Sequence, residues 1–140
     1  MDMTLHVDIV SAEAEIFSGT STMVFAPAEK GEVGISPPQT PLLTRQKPGE
    51  VRVQSDDGEE QSFFVSGGML EVQPHVVTVL ADTAIRADNL DEAQALEAKE
   101  RAEKLLSDKT ADIDYAKAQS ELAESIAQLS TIRKLRQKGK

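Results

Sequence analysis

The apolar residues of this chain change their period near Ile85, and that change constrains the fold more than any other feature. At residues 3–9 every second residue is apolar, which is typical of a half-buried β-strand. After Ile85 there is no proline and almost no glycine, and alanine, leucine, glutamate and lysine dominate, as in helices. The sequence therefore predicts an α+β protein, with a β part at residues 1–86 and a helical part at residues 87–140.

Short apolar runs alternate with turn residues throughout the β part. Strands are predicted at residues 3–9, 22–26, 50–54, 61–65, 69–73 and 76–80. Turns rich in glycine, proline, aspartate and serine are predicted at residues 18–19, 29–31, 48–49, 56–58, 66–68 and 73–74. Many short strands at this spacing favour an antiparallel β-sandwich or a barrel.

The helical part contains two apolar stripes at helical spacing. The first consists of Ala95, Ala98, Ala102, Leu105 and Leu106, and the second of Tyr115, Ala118, Leu122, Ile126, Leu129 and Ile132. We expect Asp88 or Asn89 to cap the first helix and Asp112 or Asp114 to start the second. A short loop would make the two helices an antiparallel hairpin. Because its stripes are narrow and rich in alanine, this hairpin could open without unfolding the β part.

The last eight residues are strongly basic, although the chain carries a formal net charge of −9. This basic tail (residues 133–140) contains Arg133, Lys134, Arg136, Lys138 and Lys140, and every acidic residue lies at or before Glu124. The macrodipole of a helix favours cations at its C-terminus, but that accounts for one or two basic residues rather than five. The tail is therefore either a solvated helix end or a surface for an acidic partner. The acidic balance of the whole chain argues against nucleic acid.

Residues that could carry chemistry are few. The chain has no cysteine, so disulfides and thiolate metal sites are excluded. His6 and His75 have no partners at a metal-ligand spacing, and surface roles are expected for both. The acidic run at residues 56–60 lacks the spacing of a calcium-binding loop and is expected to be a hairpin turn. No nucleophile elbow or phosphate-binding loop occurs, so the sequence predicts no catalytic site, no metal and no cofactor.

The first ten residues, MDMTLHVDIV, lack the charged start and the continuous apolar run of a signal peptide. No stretch reaches the 18 or so apolar residues of a membrane span. We expect a soluble cytosolic chain that has no direct membrane insertion and reaches a membrane only through another protein.

Several long motifs occur in one order along the chain. GEVGISPPQTPLLTRQKPGEVRV, at residues 31–53, resembles the Gly-Glu-Leu-Gly-Ile, Pro-Gly-His, Pro-Leu-Leu-Thr and Lys-Pro-Gly signatures of the epsilon subunits of bacterial F-type ATP synthases. SGGMLEVQPHVVTVLADTAIR, at residues 66–86, resembles the second signature of that family, and LDEAQALEAKERAEKLL resembles its first helix. The resemblance covers essentially the whole chain.

The resemblance implies a rotor subunit of the central stalk. Its amino-terminal β-sandwich would join the γ subunit to the membrane ring of rotor subunits. Its carboxy-terminal helix hairpin would lie folded on the sandwich or extend along γ into the α/β catalytic head, where it inhibits ATP hydrolysis. The chain itself would be non-catalytic, and it would lie on the cytoplasmic face of the bacterial inner membrane as a peripheral part of the complex.

The resemblance also assigns roles to individual positions. Contacts with the rotor ring are implied for Glu32, Pro38, Gln39 and Thr40, and contacts with γ for Ser11 and Thr44. Inhibitory contacts with an acidic segment of the catalytic head are implied for Arg133, Lys134, Arg136 and Lys138. Where the family turn has Pro-Gly-His, this chain has Pro-Pro-Gln at residues 37–39, which stiffens the backbone and removes the histidine.

Some relatives bind ATP on the folded hairpin, through an Asp-x-x-Arg-Ala motif and arginines of the second helix. Asp91 matches the aspartate of that motif and is a weak nucleotide-binding candidate. Gln94, Glu124 and Gln128 stand where those relatives have arginine, and Glu124 would repel phosphate. We therefore expect no strong ATP binding.

Two other classes of protein are compatible with the residues alone. One is a freestanding β-sandwich binding module whose hairpin is only a structural support. The other is an enzyme whose site is assembled from scattered groups. Copurification with a membrane-bound ATPase would separate the subunit from the free module, and turnover by the isolated chain would indicate the enzyme.

Overall fold

A computed structural model describes residues 3–38, 40–107 and 114–138 of the chain. The described residues form ten strands, one short 3₁₀ turn and two α-helices. The strands are β1 (Leu5–Ser11), β2 (Glu15–Ser21), β3 (Met23–Ala28), β4 (Gly31–Ile35), β5 (Leu42–Gln46), β6 (Gly49–Gln54), β7 (Glu60–Val65), β8 (Gly68–Val72), β9 (Val76–Ala81) and β10 (Ala84–Arg86). The chain divides into two compact units, Met1–Arg86 and Ala87–Lys140.

The strands of the first unit form two five-stranded sheets. One sheet has the order β2-β1-β9-β8-β5, and the other has the order β10-β7-β6-β3-β4. Within the described residues β1 and β9 pair in parallel, and the other pairings are antiparallel. The predicted fold class, a β-sandwich followed by two helices, is confirmed, and of the two all-β alternatives the chain forms the sandwich.

Alternating side chains from both sheets fill the core of the sandwich. The core residues are Leu5, Val7, Ile9, Val24, Ala26, Ile35, Val51, Val53, Phe63, Val65, Leu70, Val72, Val77, Val79 and Ala81. Phe63 is fully buried, and its ring centroid lies 5.4 Å from that of Phe17 at a tilt of 54°. Tilted aromatic pairs of this kind add to the stability that burial itself provides. The two-residue period recognised in the sequence is thus the period of core contact.

Four strands were not predicted from the apolar pattern: β2, β4, β5 and β10. The predicted turn at Ser18 and Gly19 is wrong, because both residues lie inside β2, where they pair with Asp8 and Val7 of β1. The ring of Phe17 lies beside Gly19, 3.1 Å from where a Cβ would stand, so a glycine here leaves room for an aromatic neighbour. Ser18 and Gly19 therefore belong to a strand, and the absence of a side chain at Gly19 lets the ring of Phe17 pack there.

Gly68 opens β8 with a φ of 126°, a conformation that side chains rarely adopt. A Cβ at Gly68 would also overlap the carbonyl oxygen of Leu80 on the neighbouring strand. Glycine is therefore required at this position, both for the backbone conformation and for the close approach of β9.

The second unit begins with the 3₁₀ turn Ala87–Asn89, followed by α1 (Glu92–Ser107) and α2 (Tyr115–Lys138). The carboxylate of Asp91 accepts a hydrogen bond of 3.1 Å from the backbone N–H of Gln94, and it caps α1. The predicted caps Asp88 and Asn89 are wrong, because both lie in the 3₁₀ turn. Asp114 caps α2 in the same way through the N–H of Lys117, as predicted.

The two helices pack together with few large side chains between them. The buried residues of the helices are Ala95, Ala102, Ala118, Ser125 and Thr131. The hydroxyls of Ser125 and Thr131 donate back to carbonyls one turn earlier on α2, at 2.8 and 2.9 Å. Two members of the predicted second stripe are exposed instead: Tyr115 by 49 % and Ile126 by 48 %.

The helices run antiparallel, because Arg136 near the end of α2 pairs with Glu92 at the start of α1. The other end of the hairpin brings Leu105 of α1 beside Lys117 and Ala118 of α2. Among the described residues, neither helix is long and apolar enough to cross a membrane.

Candidate binding surfaces

The tip of the β3–β4 hairpin carries Glu32, the acidic residue predicted to face the rotor ring. Glu29 and Lys30 form the turn, and Gly31 follows with a φ of 129°. Glu32 is the second residue of β4 and its side chain is 49 % exposed. One carboxylate oxygen, Oε1, accepts a hydrogen bond of 3.0 Å from Nη2 of Arg52. The tip therefore presents a half-exposed carboxylate, and Arg52 holds one of its two oxygens by a hydrogen bond.

A groove of about 250 Å³ runs beside this hairpin tip. It is lined by Ala28, Glu29, Lys30, Gly31, Glu32, Val33, Leu42 and Thr44, and we call it the edge groove. The N–H of Glu29 donates to the carbonyl of Arg45 at 3.0 Å, which ties the turn to β5. The edge groove is thus lined by both Glu32 and Thr44, for which the family resemblance implies two different partners.

The other residues predicted to contact the ring lie between β4 and β5. Pro38 and Thr40 are exposed, and Pro37 is half-buried. Gln39 lies outside the described residues. This connection joins the end of β4 to the start of β5, the edge strands of the two sheets, and both strands contribute residues to the edge groove.

Ser11, the other residue predicted to face γ, lies at the end of β1. Its hydroxyl donates to the carbonyl of Ala14 at 3.3 Å and accepts from the N–H groups of Ala14 and Glu13. The side chain therefore holds the β1–β2 turn. Strands β9 and β8 separate β1 from β5, so Ser11 and Thr44 stand about 14 Å or more apart across the sheet. The structure does not bring these two residues together.

The basic tail continues α2 on an exposed surface. Arg133 and Lys134 are exposed, and the side chain of Arg136 is 65 % exposed while it pairs with Glu92. Lys138 is the last residue of α2, and its side chain lies outside the described residues. Arg133 also borders a shallow groove of about 250 Å³ between the helices, with Lys99, Ile126, Leu129 and Ser130. Residues 133–138 of the tail are therefore helical, and of their described side chains Arg133 and Lys134 are exposed while Arg136 also pairs with Glu92.

Asp91, the weak nucleotide-binding candidate, uses its carboxylate to cap α1. Gln94 is exposed, and its N–H is the group that Asp91 caps. Glu124 and Gln128 are half-buried on α2. Two carboxylates, two amides and no arginine at these four positions form a poor phosphate site, because phosphate binding relies on charge-assisted hydrogen bonds from cations.

One serine, one histidine and one aspartate do meet on the outer face of β1 and β2. Ser18 Oγ donates to Asp8 Oδ1 at 2.7 Å, and His6 Nε2 lies 3.1 Å from the same oxygen. In a catalytic triad the histidine uses its two nitrogens for different partners, but here Nε2 faces both Asp8 and Ser18. The cluster is therefore a surface network rather than an activated nucleophile.

The acidic turn between β6 and β7 uses its own carboxylate internally. Asp57 Oδ1 accepts from the hydroxyl of Ser55 and from the N–H of Glu59, and these bonds lower the pKa of the Asp57 carboxyl. Across the described residues, no three histidine, cysteine or acidic side chains are grouped as metal ligands. The predicted hairpin turn is confirmed.

Two residues of these surfaces escaped prediction: Arg52 and Glu92. Arg52 interrupts a buried alternation as a charged residue between Val51 and Val53, which is a signal that it faces outward. Its partner Glu32 lies 20 residues away in the sequence and two strands away in the sheet, since β3 stands between β6 and β4. Only the sheet order therefore identifies the pair. Glu92 likewise meets Arg136 across 44 residues.

The fold and these surfaces define a class of protein: a β-sandwich followed by a two-helix hairpin, with exposed charged ends. Residues 4–87 match the family model of the β-sandwich domain of the ATP synthase delta/epsilon chain, and residues 88–133 match its long α-helix domain. The chain therefore belongs to the ATP synthase delta/epsilon chain family. This confirms the resemblance drawn from the sequence motifs.

Relatives narrow this to the epsilon chains. The chain is 67 % identical over 138 residues to the ATP synthase epsilon chain of Nitrosococcus oceani, covering 99 % of both. It is 66 % identical to that of Thioalkalivibrio sulfidiphilus, covering 97 % of both. The fold also resembles a chain in the cryo-EM structure of Euglena gracilis mitochondrial ATP synthase (OSCP/F1/c-ring), with a TM-score of 0.75, 17 % identity and coverage of 93 % of this chain and 81 % of that one. Membership of this family confirms the prediction that the chain is a non-catalytic subunit.

Proposed function

We propose that this chain is the rotor subunit that joins γ to the membrane rotor ring and restrains ATP hydrolysis through its helix hairpin. The observation that carries the proposal is a match over 99 % of the chain, sandwich and hairpin together, to an ATP synthase epsilon chain. Two chains of similar fold come from structures described as containing the F1/c-ring and the central stalk with its ring. These support a central-stalk position between γ, the ring and the catalytic head.

The two units have separate roles in this proposal. Residues 1–86 form the rotor-binding domain, and residues 87–140 form the regulatory hairpin. Glu32, Pro38, Gln39 and Thr40 contact the ring, and Ser11 and Thr44 contact γ. The edge groove supports a joint surface, because Glu32 and Thr44 both line it. A contact between Ser11 and γ requires that γ also extend across the sheet to the end of β1.

The basic tail supplies the contact with the catalytic head. Arg133, Lys134, Arg136 and Lys138 bind an acidic segment of the head when the hairpin is extended. Exposed cations on a single helix favour this role, because they steer the helix toward a negative surface and bind it there. The alternative is that the tail is only a solvated helix end, and the experiment below distinguishes the two roles.

The proposal includes no strong ATP binding, since Asp91 is occupied as a helix cap and no arginine replaces those that other epsilon chains carry nearby. The subunit lies at the cytoplasmic face of the bacterial inner membrane, where it is attached through the complex rather than by a segment of its own.

A reconstitution experiment separates the two roles. ATP synthase depleted of this chain is combined with the full chain, with residues 1–88, or with a full chain in which the four tail residues are alanine. We expect all three to bind γ and the ring, and only the first to inhibit hydrolysis fully. Amide dispersion in NMR spectra verifies that residues 1–88 fold. Failure of the folded fragment to bind while the full chain binds would refute the division of roles, and full inhibition by the alanine variant would favour a solvated tail.

A further inference from the structure

Arg52 occupies an unusual position on the outer face of the sandwich. It lies on β6 between the buried residues Val51 and Val53, and its own side chain is 23 % exposed. The guanidinium stacks over the ring of Phe25, with 4.2 Å between its central carbon and the ring centroid. Phe25 is the cross-strand neighbour of Arg52 on β3. The stacked ring directs the arginine across β3 toward the edge of the sheet.

Gly34 leaves room for this crossing. It pairs with Phe25 from the β4 side, and a Cβ on Gly34 would stand 3.3 Å from Cε1 of that ring. The ring therefore lies over a strand position that has no side chain. Arg52 passes along the ring and reaches β4 two residues away, where its Nη2 donates to Oε1 of Glu32 at 3.0 Å.

Two further carboxylates hold the arginine from its other side. Nε of Arg52 lies 3.9 Å from Oε1 of Glu50, and Nη1 lies 3.9 Å from Oε1 of Glu60. Glu50 is almost fully buried, and it also accepts a hydrogen bond from the hydroxyl of Ser62. A guanidinium that is stacked on one face, hydrogen-bonded to one carboxylate and within ion-pair distance of two more has reduced rotamer freedom. Arg52 is therefore a rigid support rather than a mobile surface cation.

The consequence for Glu32 is a fixed orientation. A glutamate at a half-exposed hairpin tip would otherwise sample several rotamers, and a partner would have to order it on binding. Arg52 engages Oε1, and the described residues offer no hydrogen-bond partner to Oε2. The three carboxylates around one guanidinium leave the group negatively charged, so Glu32 still attracts a polar or cationic group. One oxygen is thus anchored and the other is presented.

We propose that Arg52 is a positioning residue that presents the carboxylate of Glu32 to the membrane rotor ring. This inference rests on the ring contact proposed above for Glu32. Arg52 acts through Glu32 and does not itself touch the ring. Its effect on ring binding therefore depends on Glu32 being present, which a purely structural role would not require.

A double-mutant cycle on the full chain tests this dependence. Arg52→Gln and Arg52→Lys are made in the parent and in a Glu32→Gln background, and each chain, in complex with γ, is titrated against the detergent-solubilised ring. Arg52→Lys keeps a positive charge beside the buried Glu50, so it keeps the test valid if Arg52→Gln does not fold. Arg45→Gln is the matched control, since Arg45 is exposed on the other sheet. Thermal unfolding of every variant is recorded alongside.

We expect Glu32→Gln to weaken ring binding by about three- to tenfold and Arg52→Gln by about two- to fivefold, with Arg52→Lys between Arg52→Gln and the parent. In the Glu32→Gln background both Arg52 substitutions have no further effect. An equal loss in both backgrounds, or no loss in the parent, overturns the positioning role while leaving the ring contact of Glu32 intact. If Glu32→Gln itself binds like the parent, the proposed ring contact is wrong and the positioning role is refuted with it.

Discussion

Replacing Glu92 with glutamine is expected to strengthen inhibition of ATP hydrolysis, although Glu92 lies far along the chain from the basic tail. In the closed hairpin Glu92 pairs with Arg136, which is also one of the four residues proposed to bind the catalytic head. The proposed contact with the head is made by the open hairpin, whereas the pair with Glu92 forms in the closed one. Glu92 therefore competes with the acidic segment of the head for Arg136. Replacing Glu92 frees Arg136 and favours the open hairpin.

The size of the effect follows from the exposure of the pair. The side chains of Glu92 and Arg136 are 44 % and 65 % exposed, so solvent and salt screen their attraction. Exposed pairs contribute at most about 1 kcal/mol, which corresponds to about a fivefold change in the ratio of closed to open hairpin. The buried residues of the two helices are alanine, serine and threonine, so this is a sizeable share of hairpin stability.

Spin labels can measure the opening directly. The chain has no cysteine, so Leu96→Cys and Ser130→Cys place labels at two exposed helix positions without background. Pulsed electron paramagnetic resonance on the full chain then measures the distance between the label on α1 and the label on α2. We expect Glu92→Gln to increase the long-distance population, and the increase to shrink in high salt, where the parent pair is already screened. Glu103→Gln, also exposed on α1, is the control for loss of a carboxylate.

The two members of the pair should have opposite effects on hydrolysis. Glu92→Gln opens the hairpin and keeps the head contact, so inhibition increases. Arg136→Ala opens the hairpin equally but removes one head contact, so inhibition decreases. Unchanged label distances in Glu92→Gln would refute the competition between the two partners. Equal and parallel changes in inhibition for both variants would show that the pair acts only on hairpin stability.

Three further substitutions test the reasoning about stability. Gln46→Leu is expected to raise the free energy of unfolding by about 1–2 kcal/mol in urea titration, because both amide atoms of this buried side chain lack a hydrogen-bond partner among the described residues; a lower stability would indicate a bond that the amide makes elsewhere. Asp91→Ala is expected to cost about 1 kcal/mol and to reduce helicity in circular dichroism, whereas Asp91→Asn keeps the cap; equal losses in both would exclude capping. Phe63→Ala is expected to cost about 3–5 kcal/mol, whereas Leu43→Ala, at a position that is 65 % exposed, changes stability by less than about 0.5 kcal/mol; similar costs would contradict the assigned core.

Several features of this protein follow from the sequence alone. The alternation at residues 5–9 and 76–80 predicts strands, because the direction of successive side chains repeats every two residues in any strand. The loss of glycine and proline after Ile85 predicts helices for an equally local reason. The charges of the basic tail and the family motifs are also written directly in the residue order, so the fold class and the family could be predicted.

Other features depend on pairing through space. Strands β4 and β5 have no clean alternation, and they are extended because β3 and β8 supply their hydrogen-bond partners at the sheet edges. Ser18 and Gly19 resemble a turn until β1 pairs with them. The exposure of Tyr115 and Ile126 likewise depends on which face of α2 meets α1.

The contacts that organise the binding surfaces belong entirely to the tertiary structure. Glu32 and Arg52 are 20 residues apart, and Glu92 and Arg136 are 44 residues apart. Hydrogen bonds and charge interactions act over a few ångströms of space, whatever the separation along the chain. Residue order shows that these side chains exist and what charge they carry, and the folded arrangement of strands and helices decides which of them meet.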